Sequence, residues 1–146
     1  MPTEKQKGGY RMNGCDLPSV AALSFLGDAV HALYVRQMLV ARGISKSGDL
    51  NREALCYVTA EEQAKQAALI LPHLTEEEHD VFRRAHNSSH LNKPKHASGA
   101  DYRQATGLEA VLGMLSVTGQ TARIEELLSL ALAPKAEENT SPGDTE

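Results

Sequence analysis

Two acidic residues stand where chemistry is plausible. Asp28 lies in the stretch LGDAV (26–30) and Glu109 in GLEAVLG (107–113), both apolar runs that read as helix. A carboxylate among such neighbours is costly to ionise unless a cation or hydrogen bonds compensate it. Taken singly, each has a plain explanation: a salt bridge to Arg36 or Arg103, or a boundary position. Taken together, they could converge on one divalent ion if their helices pack side by side. Hard carboxylate oxygens without cysteine suit Mg²⁺, with Mn²⁺ as the substitute. Two protein ligands leave most coordination positions to water and a phosphate, which suits phosphodiester hydrolysis.

The surroundings of the two acids favour close packing. Gly27 and Ala29 flank Asp28, and Gly107 and Ala110 lie near Glu109. Ser24, Asp28 and His31 follow an i, i+4, i+7 spacing and share one helix face; Tyr102, Thr106 and Glu109 do the same on theirs. Ordinary tight helix packing would use the same small residues.

A second feature is local charge. Between His79 and Arg103 the chain carries Arg83, Arg84, Lys93, Lys95 and Arg103, and four of its six histidines, opposed by Asp80 and Asp101 alone. On a chain of net charge -4 this is a concentrated cationic segment, suited to phosphate contacts and salt-sensitive nucleic-acid binding. The bland alternative is a solvated loop with incidental charge. The histidines have neither cysteine partners nor regular ligand spacing, so zinc is not indicated.

The elements that must position these residues read as helices throughout; period-2 alternation is absent. Asp16 and Pro18 mark a helix start, and Leu17 to Ala41 is apolar on most sides, as expected of a central, buried helix ended at Gly43. A second helix is expected from about Asp49. Thr59-Ala-Glu-Glu62 and Thr75-Glu-Glu-Glu78 are capping boxes that open two more, to Leu71 before Pro72 and to about His86. Residues 87–99, rich in Gly, Pro, Ser and Asn, read as a long loop of functional character. Helices from Asp101 to Val117 and from Thr121 to Leu132 follow, separated by Gly119. Cys56, Met38 and Met114 read as core.

The whole chain bounds the possibilities. Its 146 residues make one domain, able to bury about 70% of its unfolded surface. Residues 1–14 and 134–146 have compositions that cannot repay the entropy of ordering and are expected to be disordered, leaving 15–133 as the folded unit. Net acidity argues against a DNA-coating protein, and 4% aromatic residues with no Trp argue against a base-stacking platform. Cys15 and Cys56 form no C-x-x-C pair and fit a reducing cytosol. No apolar run is long enough for a membrane span, and the N-terminus has no secretory pattern. P-loop and G-x-S-x-G signatures are absent.

These residues resemble ribonuclease III catalytic domains, and most closely the Mini-ribonuclease III branch. LSFLGDAVHALYVRQML (23–39) resembles the family's signature helix with its LGDAV core. NREALCYVTAEEQAK resembles the branch's next two helices, EEEHDVFRRAHNSS the basic helix end and loop, and YRQATGLEAVLGML the second acidic helix. The resemblance covers about residues 16–130. It implies an all-α fold, a single ribonuclease III-like endonuclease domain whose helical bundle forms a homodimer through the first helix and its neighbours.

By resemblance, Asp28 and Glu109 match the family's metal-binding, catalytic Asp and Glu. The larger enzymes carry two further acids where this chain has Ser24 and Thr106, a departure the smaller branch shares. Their RRGRN-like stretch reads RRAHN here (83–87). The 146 residues hold no room for an appended double-stranded-RNA-binding domain. Grip on the substrate is therefore expected from Arg83, Arg84, Asn87, Lys93 and Lys95, duplex RNA being read mostly by shape and backbone. The implied function is a Mg²⁺-dependent endoribonuclease of the cytoplasm that cleaves double-stranded RNA and matures precursor ribosomal RNA of the 23S type. One alternative is a catalytically weak factor that binds structured RNA during ribosome assembly, and another a purely structural helical protein.

Overall fold

Local capping chemistry sets most helix starts. The structure, a computed structural model, describes residues 17–88 and 98–133. Helix α1 spans Val20–Ala41, with Ser19 as N-cap accepting from the Ala22 N–H, so it starts three residues beyond the Leu17 expected. Asp16, the expected cap, lies outside the described residues. Gly43 ends the helix at φ +89°, a backbone conformation that favours glycine.

Helix α2 (Ser47–Val58) begins two residues before Asp49. Helix α3 (Ala60–Ile70) is capped by Thr59, whose side chain accepts from the Glu62 N–H, and a 3-10 turn at Leu71–His73 carries Pro72. Helix α4 (Glu76–Ser88) opens on a complete capping box: the Glu78 N–H donates to Thr75 Oγ1 at 3.1 Å, and the Thr75 N–H donates to Glu78 Oε1 at 2.8 Å. Helix α5 (Gly99–Val117) is capped by Ser98, and α6 (Thr121–Ala131) follows the left-handed Gly119 at φ +73°. The fold is all-α, and the described residues contain no strand.

Both ends of the expected loop are helical, since α4 runs through Asn87 to Ser88 and α5 starts at Gly99 after its cap Ser98; residues 89–97 lie outside the described residues, as do the two chain ends.

The central helix is α5, not α1. It packs against α1, α3, α4 and α6, and Ala110 through Leu115 are all buried. Each fully buried leucine there, Leu112 or Leu115, is worth about 1.5–3 kcal/mol of transfer free energy. In α1 only every fourth residue is buried: Leu23, Gly27, His31, Val35 and Leu39. Val20, Val30, Tyr34 and Met38 are half-buried at the core edge, while Phe25, Val40 and Leu33 face outward, 84%, 63% and 53% exposed. Apolar character on most sides pointed to α1 as the centre; the helices packed around α5 make it the centre instead.

Cys56 corrects a second expectation. It is exposed on α2, beside the exposed Leu55, while the neighbouring Tyr57 is the residue turned into the core. Met114 is fully buried and Met38 packs against the core edge. No helix among the described residues is long and apolar enough to cross a membrane.

Arg123 ties the C-terminal helix to the rest. Its guanidinium donates to both oxygens of Glu78 at 2.9 and 2.8 Å and to the His73 carbonyl at 2.7 Å. Glu78 is 2% exposed. Burial alone would raise its pKa, but the bonds from Arg123 and Thr75 outweigh burial and hold it below the usual carboxylate value.

Candidate metal centre

The crossing of α1 over α5 is tight because it is made through glycines. A Cβ on Gly27 would lie 1.6 Å from the Glu109 carbonyl oxygen, and one on Gly113 would lie 2.0 Å from the Leu23 carbonyl oxygen. Ser24 Oγ donates to the Thr106 carbonyl at 3.0 Å across the same crossing. Gly107 serves a different contact, facing the Phe82 ring of α4, and Ala29 is exposed rather than packed.

This crossing brings Asp28 and Glu109 together. Asp28 is exposed and Glu109 half-buried, and the two lie close enough for the Asp28 carboxylate to act on that of Glu109. Burial, then the negative charge of Asp28 and the bond to it, push the pKa of Glu109 up to about 8, against a smaller opposing pull from a Gln63 hydrogen bond. Two carboxyls in such contact hold a proton between them, and a cation at that place satisfies both oxygens without it. Among the described residues neither acid is ion-paired with Arg36 or Arg103.

The donor set fits a hard divalent ion. Among the described residues no group of three or more His, Cys, Asp and Glu side chains could hold a metal. Mg²⁺ is commonly held by one or two carboxylates and keeps several waters, whereas zinc wants three or four protein ligands. The remaining polar residues on the two faces are occupied elsewhere: Ser24 as above, and Thr106 Oγ1 by donation to the Tyr102 carbonyl at 2.8 Å.

Behind Glu109 lies a buried polar group in which only His31 had been singled out from sequence. His31 is 1% exposed and does not reach solvent as a group one turn beyond Asp28 might. Its Nε2 is 2.7 Å from Gln66 Oε1, and its Nδ1 is 3.2 Å from Gln63 Nε2. Gln66 Nε2 donates to the Tyr57 carbonyl at 2.8 Å. Burial lowers the His31 pKa, against weaker raising effects of Gln66 and Asp28, which favours the neutral ring. Gln63 and Gln66 were missed because glutamine on a helix usually faces solvent. The signal was their register: 63, 66, 67 and 70 form an i, i+3, i+4, i+7 stripe with Ala67 and Ile70, and all four are buried.

The basic residues divide. Arg83 and Arg84 are exposed on α4, and both pair with Asp80, Arg84 Nε lying 3.0 Å from Asp80 Oδ2. Asn87 is exposed in the last turn of the same helix. Lys93 and Lys95 lie outside the described residues.

Comparison with known proteins places this geometry in context. Residues 21–120 match the model of the Ribonuclease III domain family. A Mini-ribonuclease 3 of Streptococcus pneumoniae is 42% identical over 110 residues, covering 74% of this chain and 86% of that protein. Another, from Symbiobacterium thermophilum, is 42% identical over 119 residues, covering 82% of this chain and 91% of that protein. A crystal structure of a Fusobacterium nucleatum protein superimposes with a TM-score of 0.73 at 28% identity, covering 82% of this chain and 97% of that one.

Proposed function

Since this chain belongs to the ribonuclease III family and is an endoribonuclease of that type, we propose that it cleaves double-stranded RNA as a homodimer, using Mg²⁺ (or Mn²⁺) held by Asp28 and Glu109. The observation that carries this reading is the glycine-mediated crossing that sets Asp28 beside Glu109, with the pKa of Glu109 pushed up to about 8 by burial and by the charge of Asp28. A divalent ion bound there would supply a polarised water and neutralise charge developing on the phosphate. Glu109 must lose its proton to ligate.

Substrate would be held through its backbone. Arg83, Arg84 and Asn87 cluster at the exposed end of α4, and Lys93 and Lys95 follow in sequence. The exposed apolar side chains of α1, Phe25, Leu33 and Val40, offer the surface through which two copies would pair. A two-fold protein suits the two strands of a duplex. The biological substrate in this reading is a stem of precursor ribosomal RNA of the 23S type, cut in the cytoplasm.

One observation favours a second reading. Ser24 and Thr106 stand where larger ribonuclease III enzymes carry acids, and both spend their hydroxyls on main-chain carbonyls. A site so reduced would suit a catalytically weak factor that binds structured RNA in ribosome assembly. Incubating the protein with long duplex RNA, with Mg²⁺ or EDTA, beside Asp28→Asn and Glu109→Gln, separates the two. Metal-dependent cutting lost in both variants supports the nuclease; tight binding without cutting under any divalent ion supports the assembly factor.

A further inference from the structure

The contacts that hold α1 on α5 are of two kinds. Two are steric: Gly27 lies against the Glu109 carbonyl and Gly113 against the Leu23 carbonyl, and both fits depend on a missing Cβ. Such contacts limit how closely the helices approach. They make no directional bond, so alone they leave α1 able to roll about its axis and to slide by a fraction of a turn. The third contact is directional. Ser24 Oγ donates to the Thr106 carbonyl at 3.0 Å, from the side chain of one helix to the main chain of the other. A carbonyl oxygen has two lone pairs, so Thr106 can serve its own helix and Ser24 together. The Thr106 hydroxyl is turned back onto its own helix, donating to the Tyr102 carbonyl at 2.8 Å.

This bond lies on the helix faces that carry the two acids. Ser24 stands one turn before Asp28 (i, i+4), and Thr106 one turn before Glu109 (i, i+3). Residues four apart differ by only about 40° around the helix axis, so a roll of α1 carries Ser24 and Asp28 the same way. A roll that turned Asp28 away from Glu109 would have to stretch or break the bond from Ser24. We propose that Ser24 is a positioning residue for the metal pair: its hydrogen bond to the Thr106 carbonyl sets the roll and register of α1 on α5, and so the direction in which Asp28 is presented to Glu109. The inference rests on the metal-site reading of Asp28 and Glu109 and adds the contact that sets their relative placement. Its size is bounded. Metal affinity can fall by no more than the bond contributes to holding the binding geometry, about threefold to tenfold for one neutral hydrogen bond.

The experiment compares Mn²⁺ affinity, by electron paramagnetic resonance, in the wild type, Ser24→Ala and Ser24→Thr. Alanine offsets part of the lost bond through its higher helix propensity, so Ser24→Ala is expected to fold. It should bind Mn²⁺ about threefold to tenfold more weakly, with metal-free affinity for duplex RNA unchanged and cleavage recovered at saturating metal. A merely structural role would lower the melting temperature and leave the metal affinity of the folded protein alone. Ser24→Thr keeps the hydroxyl and should stay within about twofold of the wild type. Ser24→Cys keeps the volume and offers only a weak donor; it should weaken Mn²⁺ binding in the same direction and decides the matter if Ser24→Ala does not fold. Unchanged Mn²⁺ affinity in the folded variant, or an equal loss in Ser24→Thr, overturns the positioning role. Asp28→Asn and Glu109→Gln tell the two failures apart. If they abolish Mn²⁺ binding while Ser24→Ala leaves it unchanged, this inference alone falls. If they also leave it unchanged, the metal-site reading itself falls, and this inference with it.

Discussion

The α-carbon of Gly27 lies against the main-chain carbonyl of Glu109, so close that a Cβ would stand 1.6 Å from its oxygen. The residue before one acid thus touches the backbone of the other, and the separation of the two carboxylates depends on the absence of a single methyl group. Gly27→Ala must push α1 away from α5. A backbone oxygen cannot swing aside as a side chain can, so the cost should reach or exceed the about 1–3 kcal/mol usual for overpacking. Gly113→Ala, which meets the Leu23 carbonyl at 2.0 Å, should destabilise similarly. Chemical denaturation measures both; a Gly27→Ala protein of wild-type stability and activity would contradict the packing described.

Proton and metal should compete at Glu109. With a pKa of about 8 in the folded, metal-free protein, the acid is mostly protonated at pH 7. Mg²⁺ affinity should therefore rise between pH 6.5 and 8, by up to about tenfold per pH unit, and flatten above. Calorimetry in buffers of different ionisation enthalpy should detect the released proton. A pH-independent affinity would remove Glu109 from the ligand set.

The same shift has a stability sign. The folded state holds this proton more tightly than the unfolded chain, so the contribution is fully present below the ordinary Glu pKa. It is lost as pH rises to about 8. In EDTA, Glu109→Gln should thus stabilise the protein at pH 8 more than at pH 5, by about 1–3 kcal/mol. Thermal melts at the two pH values make the comparison, and an equal effect at both would count against the raised pKa.

Arg123 and Glu78 give a prediction away from the site. Removing the guanidinium leaves a buried carboxylate without its cation, so Arg123→Ala should cost about 3–5 kcal/mol. Arg123→Lys should recover only part, since an ammonium cannot reproduce the fork to both Glu78 oxygens. Because the Glu78 pKa is held low, this contribution is present at neutral pH and fades as pH falls below the ordinary Glu value. A small loss in Arg123→Ala would mean that the pair is idle.

Asp80 restrains the two arginines proposed to grip RNA. Its pairs with Arg83 and Arg84 are exposed and contribute little to stability. Asp80→Asn should leave the melting temperature nearly unchanged yet strengthen duplex-RNA binding at low salt by about twofold to fivefold. Arg83→Ala and Arg84→Ala should each weaken binding and reduce the salt-dependence slope by about one. If neither arginine changes that slope, RNA is held on another face.

Much of the fold was legible in the sequence because it is written in local bonds. The caps at Thr59 and Thr75, the stops at Gly43 and Gly119, and the turn at Pro72 involve partners within a few residues, whose types and spacing carry their own signal. The two acids were legible for a related reason: a charge inside an apolar helix is conspicuous wherever the helix goes. What tertiary structure alone decided depends on partners far apart in sequence. The Asp28–Glu109 contact and the closeness of Gly27 to Glu109 exist only because α1 crosses α5. The partners of His31 arrive from α3, more than thirty residues away, and turn two ordinary helical glutamines into buried donors and acceptors. The number of neighbours around a helix likewise made α5 the centre, left Phe25 outside and put Cys56 on the surface. Hydrophobic periodicity reports which faces can be buried; only the packed arrangement determines which are.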